Sequence, residues 1–369
     1  MNRIIPLLTA FSLSLSGSGC TAKPQSPEPQ KTETSEQKAV KVLDEMTLDE
    51  KIGQMFLVRY PGNETAANDA KEYNLGGYVL FAKDFENETP DSISDKISDC
   101  IQEAEIPLIM AVDEEGGLVN RVSKFKAYRD EPFKSPQALY KEGGFELIQS
   151  DTIEKCSLLK AIGINVNLAP VCDVSEDSTA FIYDRTFGGN AEETSEYVKT
   201  VVTTMKENNV GSALKHFPGY GNNGDTHTAI ITDTRDKSEF ETKDFLPFKA
   251  GIAAGANMVL VAHNIVNSMD SEYPASLSPE VHRILREELG FDGVIVTDEL
   301  SMDAITKYTD GKSAAVQAVK AGNDLLCCTD YKEQIAAVAE AVKNGEISED
   351  AINQSVKRIL KMKFELGIM

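Results

Sequence analysis

Short apolar runs rich in branched residues alternate with amphipathic segments along most of the chain. Eight such runs begin at Ile52, Gly76, Ile106, Gly163, Val210, Gly255, Phe291 and Asn323. Continuous apolar composition is typical of strands buried on both faces, as in a parallel sheet whose crossovers are helices. The segments between the runs favour helices, and the one that opens with Ser278 and Pro279 closes at Gly290 with a stop signal.

Eight strand and helix units predict an α/β fold, a single (β/α)8 TIM-type barrel, rather than an open sheet. No Gly-x-Gly-x-x-Gly follows the first run, as a dinucleotide-binding sheet would require. A barrel gathers the carboxyl ends of its strands at one mouth, where such enzymes keep their active sites. The runs end in polar residues that would meet there: Asp113, Asp173, Lys215, His216, His263, Asp298 and Asp330. A two-domain α/β binding protein of the periplasmic type is the alternative.

Residues 1–20 have the form of a bacterial export signal. Arg3 precedes an apolar stretch at residues 4–15, and small residues lead to Cys20. The stretch is shorter than the roughly 20 residues that span a membrane. Cys20 resembles the lipidated cysteine of bacterial lipoproteins, which implies a tether to the outer face of the cell membrane; simple secretion is the alternative. Residues 21–38 are polar and predict a disordered linker, and the folded domain is expected at 39–369.

Charge and cysteine usage exclude several classes of function. The chain carries 37 Lys and Arg against 59 Asp and Glu, a net charge of -22, without a basic stripe, so we expect no nucleic-acid partner. The five cysteines after Cys20 have no Cys-x-x-Cys spacing, which argues against a zinc cage or a disulfide framework. We expect no metal, no cofactor and a monomer.

Two of the four histidines lie in one stretch, residues 215–230, which reads KHFPGYGNNGDTHTAI. It belongs to the loop after the fifth run, which extends to about residue 239 and is longer than most such connections. Asp225 lies two residues before His227, so the carboxylate can orient the imidazole as a general acid and base. A solvated surface histidine is the alternative.

Two other segments end a predicted strand with a carboxylate. Asp298, in FDGVIVTDELSMDA, is placed to serve as a nucleophile or to stabilise a cation, with helix capping or a salt bridge as the alternative. Asp113 and Arg121 belong to AVDEEGGLVNR. Together with Lys215 they can hydrogen-bond a polyhydroxylated ligand, unless they form salt bridges that close the barrel rim.

Four separated motifs together resemble glycoside hydrolase family 3, in its β-N-acetylglucosaminidase branch, from about residue 40 to the end. They are KHFPGYG with the downstream Asp-x-His, VDEEGG with Arg121, NVNLAPVCDV followed by DRTFGG, and VIVTDELSMDA. The resemblance implies that Asp298 is the nucleophile and that His227, partnered by Asp225, is the acid and base. It also implies the following sugar contacts: Asp113, Arg121, Arg185, Lys215 and His216. Tyr220 stands where the branch usually has histidine.

The resemblance implies a retaining exo-enzyme that releases terminal N-acetylglucosamine from peptidoglycan fragments or chitin-like oligosaccharides. Family members that act as β-glucosidases generally take an acid and base glutamate from an additional C-terminal domain, and we expect none after the last helix. Three alternatives stay open: an N-acetylglucosaminide phosphorylase of the same family, a β-glucosidase-like exo-enzyme, and a tethered sugar-binding lipoprotein without catalysis.

Overall fold

All eight apolar runs contribute strands to one parallel sheet. The computed structural model describes residues 33–221, 231–302, 305, 309 and 314–369, and in these it has an eight-stranded sheet and a separate pair of short strands. In chain order the strands are β1 (Phe56–Arg59), β2 (Gly77–Leu80), β3 (Ile109–Val112), β4 (Val166–Asn167), β5 (Gly211–Phe217), β6 (Thr232–Asp233), β7 (Met258–Val261), β8 (Ile265–Val266), β9 (Val294–Thr297) and β10 (Leu326–Cys328).

The sheet is almost closed on itself. Its strand order is β10-β1-β2-β3-β4-β5-β7-β9, and adjacent strands in this order pair in parallel. A bridge between Val296 and Leu325 connects the two ends of this order. There the Thr297 N–H donates to the Leu325 carbonyl at 3.1 Å. The expected α/β fold with a TIM-type barrel is therefore confirmed.

Helices connect successive strands of the barrel. The α-helices are Ser35–Glu45, Leu48–Gln54, Asn63–Glu72, Ala82–Phe85, Pro90–Glu103, Pro136–Ala161, Ala191–Glu207, Lys237–Glu239, Phe245–Ala254, Pro279–Arg283, Ala314–Ala321, Tyr331–Lys343 and Glu349–Glu365. Short 3-10 turns lie at Tyr183–Arg185 and Ala275–Leu277, and π turns at Phe240–Asp244 and Ile284–Glu288. The helix expected from Ser278 is present: Ser278 caps it, its π turn extends it, and Gly290 follows with a positive φ of 71°.

Local capping moves two boundaries away from the sequence expectation. The run that begins at Ile52 is divided, because Thr47 and Glu50 form a capping box that starts the helix Leu48–Gln54. The strand begins only at Phe56. The first described helix starts at Ser35, ahead of the expected domain start at residue 39, because Thr34 and Gln37 form a second capping box.

Burial on both faces explains why the strands lack polar alternation. Every residue of β2, β3, β7 and β9 is buried. At Gly77 a Cβ would lie 2.1 Å from the Ile109 carbonyl oxygen, so a larger residue would push β2 away from β3. The sheet and the helices around it form one compact unit, Thr34–Met369.

Several sequence expectations concern residues that the structure does not describe. The predicted export signal at residues 1–20, with Cys20, lies outside the described residues, as does the predicted linker as far as residue 32. Over the part of the chain that is described, no helix is long and apolar enough to cross a membrane. The five cysteines after Cys20 are free, and four of them are buried.

Candidate active site

A cavity of about 360 Å3 opens at the carboxyl ends of the barrel strands. This volume falls in the range of small-molecule sites, roughly 300–1,000 Å3. Its wall includes six of the residues predicted from the sequence: Asp113, Arg121, Arg185, Lys215, His216 and Asp298. They come from four different strand ends and loops, and the barrel brings them together. Apolar side chains such as Phe81, Leu260 and Met302 complete the wall.

Lys215 is a buried cation in this wall. Its side chain projects from β5, is 2% exposed, and places Nζ 2.6 Å from Asp113 Oδ1 and 2.6 Å from Glu115 Oε1. Burial by itself would lower the pKa of Lys215, but the two carboxylates raise it above its ordinary value. Lys215 is therefore a charged donor that two acidic groups hold in place.

Glu115 connects Lys215 to Arg185. The Arg185 guanidinium donates from Nε to Glu115 Oε2 at 3.0 Å and from Nη2 to Oε1 at 2.7 Å. Burial by itself would raise the pKa of Glu115, but Lys215 and Arg185 hold it well below its ordinary value. Two fixed cations on one carboxylate give this part of the wall a rigid geometry.

The sequence analysis missed Glu115 as a site residue. It lies within the motif VDEEGG, two positions after Asp113, and next to glycines with positive φ at 116 and 117. The signal was the second acidic residue ahead of a tight turn. Its neighbour Glu114 is also buried, but it turns away to other partners.

Glu114 fixes the loop that carries Arg121. Its carboxylate accepts the backbone N–H groups of Arg121 and Val122, each at 2.7 Å, and that of Ser123 at 3.1 Å. The Arg121 guanidinium carbon lies 5.8 Å from the centre of the Phe81 ring. Within the described part of the chain, the buried Nε of Arg121 has no hydrogen-bond partner.

His216 lies between a carboxylate and a guanidinium. Its Nδ1 lies 2.8 Å from Asp173 Oδ2, and its Nε2 lies 3.2 Å from Arg185 Nη2. Because a guanidinium can only donate, Nε2 accepts, and the proton sits on Nδ1 and is donated to Asp173. Asp173 was expected only as a polar strand end, and the structure makes it the group that orients His216.

Tyr220 occupies the position where the resemblance led us to expect histidine. Its ring is 2% exposed and meets the His216 imidazole edge to face, with ring centres 5.1 Å apart. Its backbone N–H donates to Asp173 Oδ1 at 2.7 Å. The tyrosine therefore packs behind His216, and the cavity wall at this point consists of His216 itself.

Asp298 and Glu299 are adjacent carboxylates with different surroundings. Asp298 follows β9, is half-buried, and accepts the Glu299 N–H on Oδ1 at 2.9 Å. The Glu299 carboxylate accepts the Ser301 N–H at 3.1 Å and the Thr329 N–H at 2.9 Å, so it ties the segment after β9 to the end of β10. These backbone bonds suit Glu299 to a structural role and favour Asp298 as the nucleophile.

Besides Asp173, two polar strand ends are absent from the cavity wall. His263 is fully buried, with Nδ1 2.7 Å from Ser276 Oγ and Nε2 3.0 Å from the Glu299 carbonyl oxygen. It lies under the segment that follows Asp298 and supports it. Asp330 is exposed and accepts the Gln334 amide at 2.8 Å. Of the polar strand ends expected to meet at the mouth, Asp113, Lys215, His216 and Asp298 line the cavity, whereas Asp173, His263 and Asp330 do not.

Asp225 and His227 lie outside the described residues, together with the rest of residues 222–230. Their predicted roles as acid, base and partner therefore stay predictions. Among the residues that are described, no cluster of three or more His, Cys, Asp or Glu side chains could hold a metal ion.

Residues 47–362 match the family model described as the glycosyl hydrolase family 3 N terminal domain. The chain belongs to glycosyl hydrolase family 3. The family expected from the four motifs is thus confirmed, and with it the assignment as a glycoside hydrolase.

Two similar proteins carry hexosaminidase names. The chain is 30% identical over 276 residues to a beta-hexosaminidase of Methylococcus capsulatus, covering 74% of this chain and 81% of the relative. It is 29% identical over 322 residues to beta-hexosaminidase A of Pseudoalteromonas piscicida, covering 80% of this chain but only 54% of that relative.

A solved structure in the same family matches the barrel. The β-N-acetylglucosaminidase from Paenibacillus sp. FPU-7 superposes with a TM-score of 0.82 and 32% sequence identity. The match covers 88% of this chain and 63% of that one. The chain therefore spans less than two thirds of some of the relatives that it resembles.

Proposed function

We propose that the protein is a retaining exo-β-N-acetylglucosaminidase that releases terminal N-acetylglucosamine from peptidoglycan fragments or chitin-like oligosaccharides. The observation that carries this proposal is a single cavity that holds both Asp298 and the predicted sugar-binding residues. The names of the similar proteins support the choice of sugar.

Five side chains supply the hydrogen bonds for one sugar ring. Asp113 and Glu115 can accept from hydroxyl groups, and Lys215, Arg185 and Arg121 can donate to oxygens of the ring substituents. Asp113, Glu115, Lys215 and Arg185 carry two negative and two positive charges in contact with each other. Such a neutral set of donors and acceptors suits an uncharged, polyhydroxylated ligand.

The reaction we infer proceeds by double displacement. Asp298 attacks the anomeric carbon and forms a glycosyl-enzyme, while His227 gives its proton to the departing oxygen. The neutral imidazole then takes a proton from water, which attacks the same carbon and releases the sugar with retained configuration. Asp225 orients the imidazole and stabilises its protonated form.

Trapping with a 2-fluoro glycosyl donor tests the nucleophile and the retaining mechanism together. We expect one sugar on the peptide that contains Asp298, and tandem mass spectrometry separates this residue from the adjacent Glu299. The Asp298→Ala variant should lose activity by a factor on the order of 10^3 or more while staying folded. A label on Glu299, or full activity in the Asp298 variant, would remove the assignment.

Two comparisons test the substrate and the acceptor. The wild-type enzyme should turn over a chromogenic N-acetylglucosaminide faster than the matching glucoside, and the reverse order would contradict the proposed sugar. In phosphate buffer the product should be the free sugar, and release of sugar 1-phosphate above the hydrolytic rate would show a phosphorylase instead.

We also propose that the mature protein is attached through a lipid on Cys20 to the outer face of the cell membrane. The support is the form of residues 1–20. Metabolic labelling with a radioactive fatty acid should mark the wild type and leave a Cys20→Ser variant unlabelled. Equal absence of label in both would favour simple secretion.

A further inference from the structure

The chain on either side of residues 222–230 converges on one guanidinium. Arg235 donates from Nη2 to the Gly219 carbonyl oxygen at 3.2 Å and to Asp233 Oδ2 at 2.7 Å. It also donates from Nη1 to Asp244 Oδ2 at 2.9 Å. Gly219 comes before residues 222–230, and Asp233 and Arg235 come after them. One side chain thus joins the two flanks of this segment.

The contact between Arg235 and the first flank is tight. A Cβ on Gly221 would lie 2.6 Å from the Arg235 guanidinium carbon, and a Cβ on Gly219 would lie 2.4 Å from Asp244 Oδ1. Both glycines have positive φ, 56° and 120° respectively. The Arg235 guanidinium also lies 4.1 Å from the centre of the Phe240 ring. The first flank therefore packs directly on the Arg235 cluster, at a separation that only glycine permits.

The same flank is connected to the cavity wall. Tyr220, between the two glycines, donates its N–H to Asp173 Oδ1, and Asp173 Oδ2 accepts from His216 Nδ1. On the other side, β6 pairs with β8 through Thr232 and Ile265. The first flank is therefore fixed to the wall that contains His216, the second flank is fixed to β8, and Arg235 joins the two flanks.

We propose that Arg235 is a positioning residue for proton transfer: it holds both flanks of the segment that carries Asp225 and His227 and thereby sets acid catalysis, without contacting the sugar. This inference rests on the proposed function, because it needs His227 as the acid. Arg235, Asp233 and Asp244 are absent from the described wall of the cavity, so a direct role in sugar binding is not expected.

The electrostatics of the cluster agree with this geometry. Asp233 and Asp244 share the single Arg235 cation, and both carboxylate side chains are 1% exposed. Burial raises the pKa of Asp244 to about 6, with Asp173 adding to the rise and Arg235 opposing it. The Asp244 Oδ1 is buried without a hydrogen-bond partner in the described chain, so Asp244 meets Arg235 through Oδ2 alone.

Leaving-group dependence separates positioning from general damage. Dinitrophenolate is a good leaving group, so a 2,4-dinitrophenyl N-acetylglucosaminide needs little protonation of its leaving oxygen. An alkoxide is a poor leaving group, so an alkyl N-acetylglucosaminide needs a proton from the general acid. We expect Arg235→Met to lower kcat/KM for the alkyl substrate by a factor on the order of 10^2, within the range for loss of general acid catalysis. For the dinitrophenyl substrate we expect a change of no more than about threefold, because bond cleavage there does not depend on the acid.

Three companion variants complete the test. His227→Ala should show the same selective loss on the alkyl substrate. Arg235→Lys keeps the charge but cannot bridge Gly219, Asp233 and Asp244, so it should also lower kcat/KM selectively for the alkyl substrate. It provides the test if Arg235→Met does not fold. Arg283→Met is the matched control, because Arg283 forms exposed ion pairs with Glu280 and Glu288. This variant should leave kcat/KM unchanged for both substrates.

The outcomes distinguish this inference from the proposed function. Suppose that His227→Ala shows the selective loss, but that both Arg235 variants lower kcat/KM equally for the two substrates or lower it for neither substrate. Arg235 is then not a positioning residue. If His227→Ala itself shows no dependence on the leaving group, the acid assignment in the proposed function fails, and the inference about Arg235 is overturned with it.

Discussion

Two lysines buried to the same degree lie in contrasting surroundings. Lys215, in the cavity wall, is 2% exposed and contacts Asp113 and Glu115 at 2.6 Å. Lys363, in the helix Glu349–Glu365, is fully buried, and its Nζ donates to the Gln54 amide oxygen at 2.7 Å. The pKa of Lys215 is raised by its carboxylates, whereas burial lowers the pKa of Lys363 to about 7.

The difference shows that burial alone does not identify a functional lysine. Desolvation acts on both amines, and the partner decides whether the charge survives. A charged lysine beside a cavity, held by two carboxylates, is organised to bind a ligand. A lysine that faces an amide within the core instead fills space, and it makes the free energy of unfolding depend on pH. The variants below test this contrast, from the largest expected effect to the smallest.

Replacement of Lys215 should give the largest loss. In Lys215→Met, Asp113 loses its cation and Glu115 keeps only Arg185, so we expect kcat/KM to fall by a factor on the order of 10^3, together with a loss of about 3–5 kcal/mol in the free energy of unfolding. Steady-state kinetics and urea unfolding measure the two effects. The matched variant Lys363→Met should keep kcat/KM within about twofold of the wild type. An equal loss of kcat/KM in both variants would contradict the functional difference between the two lysines.

Glu115→Gln should have an intermediate effect. The amide keeps the shape of the side chain but removes the charge that holds Lys215 and Arg185 together. We expect kcat/KM to fall by about 10- to 100-fold, mainly through weaker binding of the sugar, because a buried charge-assisted pair is lost on each side. Inhibition by free N-acetylglucosamine measures the binding part directly. Wild-type kinetics in this variant would show that Glu115 is only a structural anion.

The smallest effect concerns stability at different pH values. The folded pKa of Lys363, about 7, lies below that of an unfolded lysine, so between these values the unfolded chain binds more protons. This lysine therefore makes the free energy of unfolding rise with pH, by at most about 1.4 kcal/mol per pH unit from pH 7 upward. Below pH 7 both states are protonated and the contribution is constant.

Urea unfolding of wild type and Lys363→Met at pH 7, 8 and 9 isolates this term. The wild type should gain stability relative to the variant at each step upward. A constant difference between the two proteins across this range would show that Lys363 keeps its charge in the folded state.

The sequence was most informative where one pattern implies one structure. Continuous apolar runs predicted all eight barrel strands, because strands covered on both faces are mostly apolar. Strand-end position was enough to predict Asp113, Lys215 and Asp298 as parts of one site. The helix Leu48–Gln54 was missed because a local capping box outweighs the apolar run.

Contacts between distant loops could not be predicted in the same way. Which of Glu114 and Glu115 faces Lys215 depends on the turn at the following glycines, and that turn shows only in three dimensions. Lys363 lies in a helix of mixed polarity, where a lysine is expected at the surface until the packing against Gln54 is known. Asp225 and His227 are still assigned from sequence alone.

The Glu115 carboxylate that Lys215 and Arg185 share also makes substitutions in three distant segments of the chain depend on each other. Loss of either cation would remove one of the two ion pairs of the buried Glu115, and loss of Glu115 would leave two cations facing each other. Single changes at these positions should be selected against, so we expect diverging lineages to replace them jointly or leave them all untouched.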